Sequence, residues 1–273
     1  MTLDVYVERP ARLPGAIVWS RTVPAAGTLA PVLPDGCVDL LWSDGQLMIA
    51  GPDTAAHTSV AEPGAVFAGI RFAPGTGPSI IGVRGDEIRD RRVSLDSVVG
   101  TAMYRWASDV VAPVAHSRAG RPALEAALES VATEWFRLAS SPDPMMTGIV
   151  AHLRAGASVA ATADAVGISL RALHRRCLPA LGYGPKTLAK IFRLNRALDL
   201  ARIGTPLATV AATAGYADQA HLSREVKALA GVPLRRLLGL PTQADDSPPG
   251  NDSQPGNEAK SSTLFPSGST IIA

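Results

Sequence analysis

Cysteine is almost missing from this chain, with Cys37 and Cys177 the two in 273 residues. They stand far apart and belong to no close-spaced pair, which excludes a disulfide framework and a four-ligand zinc site. Long apolar runs are missing as well, so no segment reads as a membrane span. The opening MTLDVYVERPARLPG has neither the basic start nor the apolar stretch of a secretory signal. A soluble protein of the reducing cytoplasm, with no membrane partner, is the expectation. Also missing are a glycine-rich phosphate loop, metal-ligand spacing of His, Asp or Glu, and a nucleophile elbow. The sequence therefore predicts no catalytic residue, no metal, no cofactor and no enzyme.

What is present is globular composition, 47% hydrophobic and 18% charged, which is enough apolar material for one large domain or two ordinary ones. The net charge of +2 conceals a strong asymmetry. Residues 1–144 hold 12 Lys and Arg against 16 Asp and Glu, residues 145–240 hold 13 against 4, and residues 241–273 hold 1 against 4. A segment of net +9 beside one of net −4 is suited to a polyanion, and its neighbour to some other task.

Up to about Asp90 the apolar runs are short and broken by Pro and Gly, the pattern of strands and turns. CVDLLW (37–42) and QLMIAG (46–51) flank Asp44-Gly45, a hairpin dipeptide. In VFAGIRF, Val66, Ala68, Ile70 and Phe72 share one face of a strand. From Leu95 the period becomes helical, with Val99, Met103, Trp106 and Val110 on one stripe and Leu124, Leu128, Val131, Trp135 and Leu138 on the next. Ser140-Ser141-Pro142-Asp143-Pro144 reads as a linker, and 241–273, rich in Pro, Gly, Ser and acids, as a disordered tail. The predicted fold class is α+β: a β-rich domain with two following helices over 1–140, then an all-α domain over 145–240.

The second domain repeats itself. Val159–Ile168 lies over Leu207–Tyr216, both short Ala-rich helices ending at a glycine, and Leu173, Arg175 and Gly182 then lie over Leu222, Arg224 and Gly231. A short helix, a glycine turn and a second helix with a buried Leu is the helix-turn-helix pattern. The second helix of each copy, about 169–180 and about 218–229, is the candidate reader. Ser169, Arg171, His174 and Arg175 on the first, and Gln219, His221, Ser223 and Arg224 on the second, carry donors and acceptors that match base edges in the major groove. Between the copies Pro185 opens a helix whose Lys186, Lys190 and Arg193 are suited to phosphates. A connector of roughly 18 residues at ~1.5 Å per residue is long enough to set two readers about one turn of duplex apart.

The run Gly215-Tyr216-Ala217-Asp218-Gln219-Ala220-His221-Leu222-Ser223-Arg224, with Leu173-His174-Arg175-Arg176, Gly182-Tyr183-Gly184-Pro185 and Gly231-Val232-Pro233, resembles the DNA-binding domain of the AraC/XylS family. Val226 stands where that family generally has Phe, and Leu234 where it has Pro. Pro34-Asp35-Gly36-Cys37-Val38-Asp39-Leu40 and Gly69-Ile70-Arg71-Phe72-Ala73-Pro74-Gly75 resemble a β-rich domain found ahead of such DNA-binding domains. The resemblance implies a transcription regulator with double-stranded DNA, a small-molecule effector, a second copy of the chain and RNA polymerase as partners. Alternatives are a DNA-binding protein whose first domain only dimerises, and an enzyme with a DNA-targeting appendage. Some regulators of this kind carry an alkyl-acceptor cysteine, but two cysteines cannot supply its zinc cluster. His57 and His116 have no motif around them.

Overall fold

The computed structural model describes residues 5–23, 31–58, 61–115, 120–139 and 143–239. The expected tail, His116, and Ser140, Ser141 and Pro142 of the expected linker lie outside them.

Six strands form one antiparallel sheet: β1 (Val5–Pro10), β2 (Ile17–Thr22), β3 (Val38–Ser43), β4 (Gln46–Ala50), β5 (Val66–Phe72) and β6 (Arg92–Ser94), in the spatial order β1-β2-β5-β3-β4-β6. Asp44 and Gly45 close the β3–β4 hairpin with φ of 49° and 82°, the two left-handed residues that match the twist of the strands. Alternation divides the sheet into two unlike faces. Val18, Leu40, Ile49, Ala68, Ile70 and Phe72 are buried on one face, as the β5 pattern predicts. Each large aliphatic or aromatic side chain there contributes roughly 1.5–3 kcal/mol by leaving water.

That face is covered by helix. Two short helices follow β5, α1 (Gly77–Ile81) and α2 (Gly85–Ile88), and then α3 (Thr101–Ala115) and α4 (Gly120–Leu138). The helix α4 lies on the sheet and α3 lies on α4. Leu124, Leu128, Val131 and Trp135 are buried as their spacing predicts, while Leu138 at the end of that stripe is exposed. On α3 the expected stripe is displaced: Ala107 and Val111 are buried and Trp106 is 37% exposed. Size explains the difference, since Ala107 admits close approach of α4 and an indole in that row would hold the helices apart. Glu129 of α4 is buried, and it accepts hydrogen bonds from Arg9 Nη2 (3.0 Å) and the Arg12 backbone N–H (2.5 Å). Burial alone would raise its pKa, but these donors outweigh that and hold the carboxyl below its ordinary range.

The remaining helices are α5 (Pro144–Arg154), α6 (Val159–Ala165), α7 (Leu170–Leu181), α8 (Pro185–Arg202), α9 (Leu207–Ala214), α10 (Gln219–Ala230) and α11 (Leu234–Leu237). They build two small cores. One gathers Ile149, Leu153, Leu173, Cys177, Leu188 and Ile191, and the other Leu194, Leu198, Val210, Leu222, Val226 and Leu234. The connector α8 thus gives its first half to one unit and its second half to the other, which is why its apolar stripe runs its whole length.

Candidate nucleic-acid interface and cavity

The two expected readers are α7 and α10, and they are built alike. Ser169 caps α7 by accepting from the Ala172 N–H (3.2 Å), and Asp218 caps α10 by accepting from the His221 N–H (2.6 Å). Leu173 and Leu222, three residues past the first of each helix, are fully buried. Gly182 and Gly231 end the helices with φ of 79° and 71°, a left-handed conformation that costs glycine little.

Arg171, His174 and Arg175 are exposed on α7, and Gln219, Ser223 and Arg224 on α10. Two of the expected readers have local duties. Ser169 spends its hydroxyl on the cap, and His221 is half-buried, with Nδ1 accepting from the Ala217 N–H (3.3 Å) and its ring edge-on to Tyr216. On α8, Lys186 and Lys190 are exposed. Arg193, expected on a phosphate, is turned inward: it donates to both oxygens of Glu225 (2.6–2.7 Å from Nη2) and stacks 4.6 Å from the Tyr216 ring centroid. The sequence showed its charge, but Glu225 lies 32 residues away, beyond the reach of any local pattern.

Both α7 and α10 rest on the first domain by their C-terminal ends. Arg89 donates to the Gly182 carbonyl (3.1 Å), and α2 packs on α7 so closely that a Cβ on Gly85 would meet the Gly182 nitrogen at 2.6 Å. The Leu229 carbonyl of α10 accepts from the Ala56 N–H (2.7 Å), Leu33 joins the second helical core, and Asn195 of α8 donates to the Pro34 carbonyl (3.4 Å). The N-terminal halves of α7 and α10, with their exposed polar groups, point away from these anchors.

The other face of the sheet floors a cavity of about 580 Å³, lined by Trp19, Asp39, Leu41, Met48, Phe67 and Arg71 among others. Trp19 lies flat over Gly69, where a Cβ would come within 2.8 Å of the indole. Its Nε1 donates to Asp39 Oδ1 (2.6 Å), and Tyr6 stacks beside it at 6.3 Å. Arg71 Nε lies 3.3 Å from both Asp35 Oδ2 and Asp39 Oδ1, yet makes no directed hydrogen bond to either. Burial drives the Asp39 carboxyl up to about 6, although Arg71 opposes the rise. Arg92 pairs with Asp53 through two short contacts, 2.5 and 2.6 Å. His57 lines the cavity and its backbone bridges Val32. Leu33, which lines the cavity, packs into the core that α8 and α10 share, and Pro34 and Ala56, next to the lining residues Asp35 and His57, bond to Asn195 and Leu229 of those helices. Burial pushes the thiol of Cys37 well above its ordinary pKa and that of Cys177 up to about 12, so neither is a ready nucleophile.

A family model described as a helix-turn-helix domain matches residues 162–239, from within α6 to just past α11 and through α7 and α10. A model described as a domain of unknown function (DUF6597) matches residues 16–94, the span from β2 to β6. No curated protein matches the chain. Solved chains similar to this one include an apo variant of ToxT from Vibrio cholerae, at 10% identity over 85% of this chain and 100% of that one, with a TM-score of 0.46. ToxT bound to an unsaturated fatty acid aligns at 10% identity over 88% and 98%, with a TM-score of 0.43. The chain thus carries a helix-turn-helix domain over residues 162–239, set behind an antiparallel β-rich domain.

Proposed function

We propose that the protein is a DNA-binding transcription regulator, not an enzyme, that reads two adjacent major-groove segments with α7 and α10 and answers to a small molecule held on the open face of its sheet. The observation that carries this reading is the matched presentation of Arg175 and Arg224: each stands five residues past the first of its helix, exposed, on a helix whose far end is anchored. A reader helix of this class contacts base edges with its N-terminal part. Arg171 and His174 join Arg175 on the first half-site, and Gln219 and Ser223 join Arg224 on the second. Lys186 and Lys190 hold phosphates, while Arg193 fixes the second unit to the connector and touches no DNA.

A cavity whose wall also bears on α8 and α10 favours an effector over a first domain that only dimerises. Fluorescence anisotropy of the full chain with labelled duplex, over a salt series, tests the reading. Binding is expected to fall steeply with salt as counterions are released, and a flat response excludes a phosphate-held complex.

A further inference from the structure

The chemistry of the cavity specifies what it takes. Its carboxylates outnumber its guanidiniums: Asp35, Asp39, Asp44 and Glu62 line it against Arg21, Arg71 and Arg92, and Arg92 is already matched by Asp53. At the floor two carboxylates share one guanidinium, which leaves a net negative charge. Asp35 Oδ1 is engaged by the Cys37 N–H (2.8 Å). Asp39 Oδ1 takes the Trp19 indole N–H and the Arg71 charge, so Oδ2 of Asp39 accepts no hydrogen bond from the described residues. Beside it stand the faces of Trp19 and Tyr6, and the Arg71 guanidinium already sits 5.9 Å from the Trp19 ring centroid. Aromatic faces attract cations, and more strongly where water is excluded. Farther along, Leu41, Met48 and Phe67 supply apolar contact.

We propose that this cavity binds an organic cation: a protonated amine on an aromatic or aliphatic body, with the ammonium donating to Asp39 Oδ2 beside Trp19 and the body lying on Leu41, Met48 and Phe67. An organic acid would meet an arginine whose charge two aspartates 3.3 Å away already outweigh, and would bring a further negative charge against the uncompensated one. The volume of about 580 Å³ falls in the range of small-molecule sites, ~300–1,000 Å³. This inference rests on the effector reading above and assigns its ligand class.

The test uses matched pairs on the full chain: phenethylamine against 3-phenylpropionate, and tryptamine against indole-3-propionate, titrated calorimetrically at neutral pH. The amine of each pair is expected to bind at least about tenfold more tightly than its acid, the scale of one charge-assisted hydrogen bond. Asp39→Asn, which keeps size and shape, should remove that preference while apolar binding persists. Tighter binding by the acids, equal binding within pairs, or no binding by any of the four at millimolar concentration each overturns the assignment. An Asp39→Asn variant that binds amines as the parent does also overturns it. If the variant does not fold, the parent protein with the four compounds still decides. Duplex binding measured on the same sample separates the two levels: specific DNA binding without an amine preference sinks only this inference, whereas loss of sequence preference sinks the regulator itself.

Discussion

The guanidinium of Arg193 closes on both carboxylate oxygens of Glu225 and lies over the Tyr216 ring, tying the middle of α8 to α10. A part-buried charged pair with this geometry is worth more than a surface ion pair, and removing one partner leaves the other's charge without compensation. Arg193→Ala should lower stability by roughly 1–3 kcal/mol in urea unfolding. The slope of log affinity against log salt should stay unchanged, whereas Lys190→Ala should reduce it by about one with little effect on stability. A reduced slope for Arg193→Ala would return that residue to the phosphate set.

Gly85 packs α2 tightly against the C-terminal end of α7, with the Gly182 nitrogen 2.6 Å from where a Cβ would stand. Gly182 is backbone and cannot swing aside, so Gly85→Ala must push α2 from α7. Overpacking of this kind costs about 1–3 kcal/mol. The expected outcome is a lower melting temperature with near-unchanged affinity for non-specific DNA. A neutral result would mean that the two surfaces do not meet in solution.

Much of this was legible in the sequence. The Asp44-Gly45 hairpin, the alternating face of β5, the Ala-rich repeat and the left-handed glycines after α6 and α9, Gly167 (φ 71°) and Gly215 (φ 83°), all follow from short-range patterns, because period and turn chemistry are local. The cavity was not legible. Pro34-Asp35-Gly36 reads as a turn, and Gly36 does adopt φ 87°, but Asp35 and Asp39 also converge on Arg71 of a strand more than thirty residues later in the chain. The signal available was the second face of β5, Phe67-x-Gly69-x-Arg71, where a charge and a missing side chain on the solvent side of a strand mark something lying over it. Trp106 was misplaced because periodicity gives the direction of a stripe but not which of two adjacent rows a neighbouring helix can approach.

Amine binding should depend on pH through Asp39. Burial raises its carboxyl to about 6, so the charge that meets an ammonium is present above that value and is lost as pH falls through it. Facing Asp39 are Trp19 on β2, Asp35 and Cys37 in the preceding loop, Arg71 on β5 and Arg92 on β6. The sign for the free protein is opposite: a carboxyl raised by burial destabilises the fold when ionised, so lowering pH through 6 relieves that cost. The rise in melting temperature produced by tryptamine should therefore shrink between pH 7.5 and 5, and Asp39→Asn should abolish the pH dependence. An increment that grows at low pH would place the ammonium elsewhere.

The most direct measurement is a randomised-site selection with the full chain, its Arg175→Ala variant and its Arg224→Ala variant, each shown to be folded by circular dichroism. The parent should select a site of two short elements about one helical turn apart. Each variant should relax one element and keep the other, at a cost of roughly 1–3 kcal/mol for the lost base contact. The same preferred sequence for the parent and both variants, or no preferred sequence for the parent, would contradict the account.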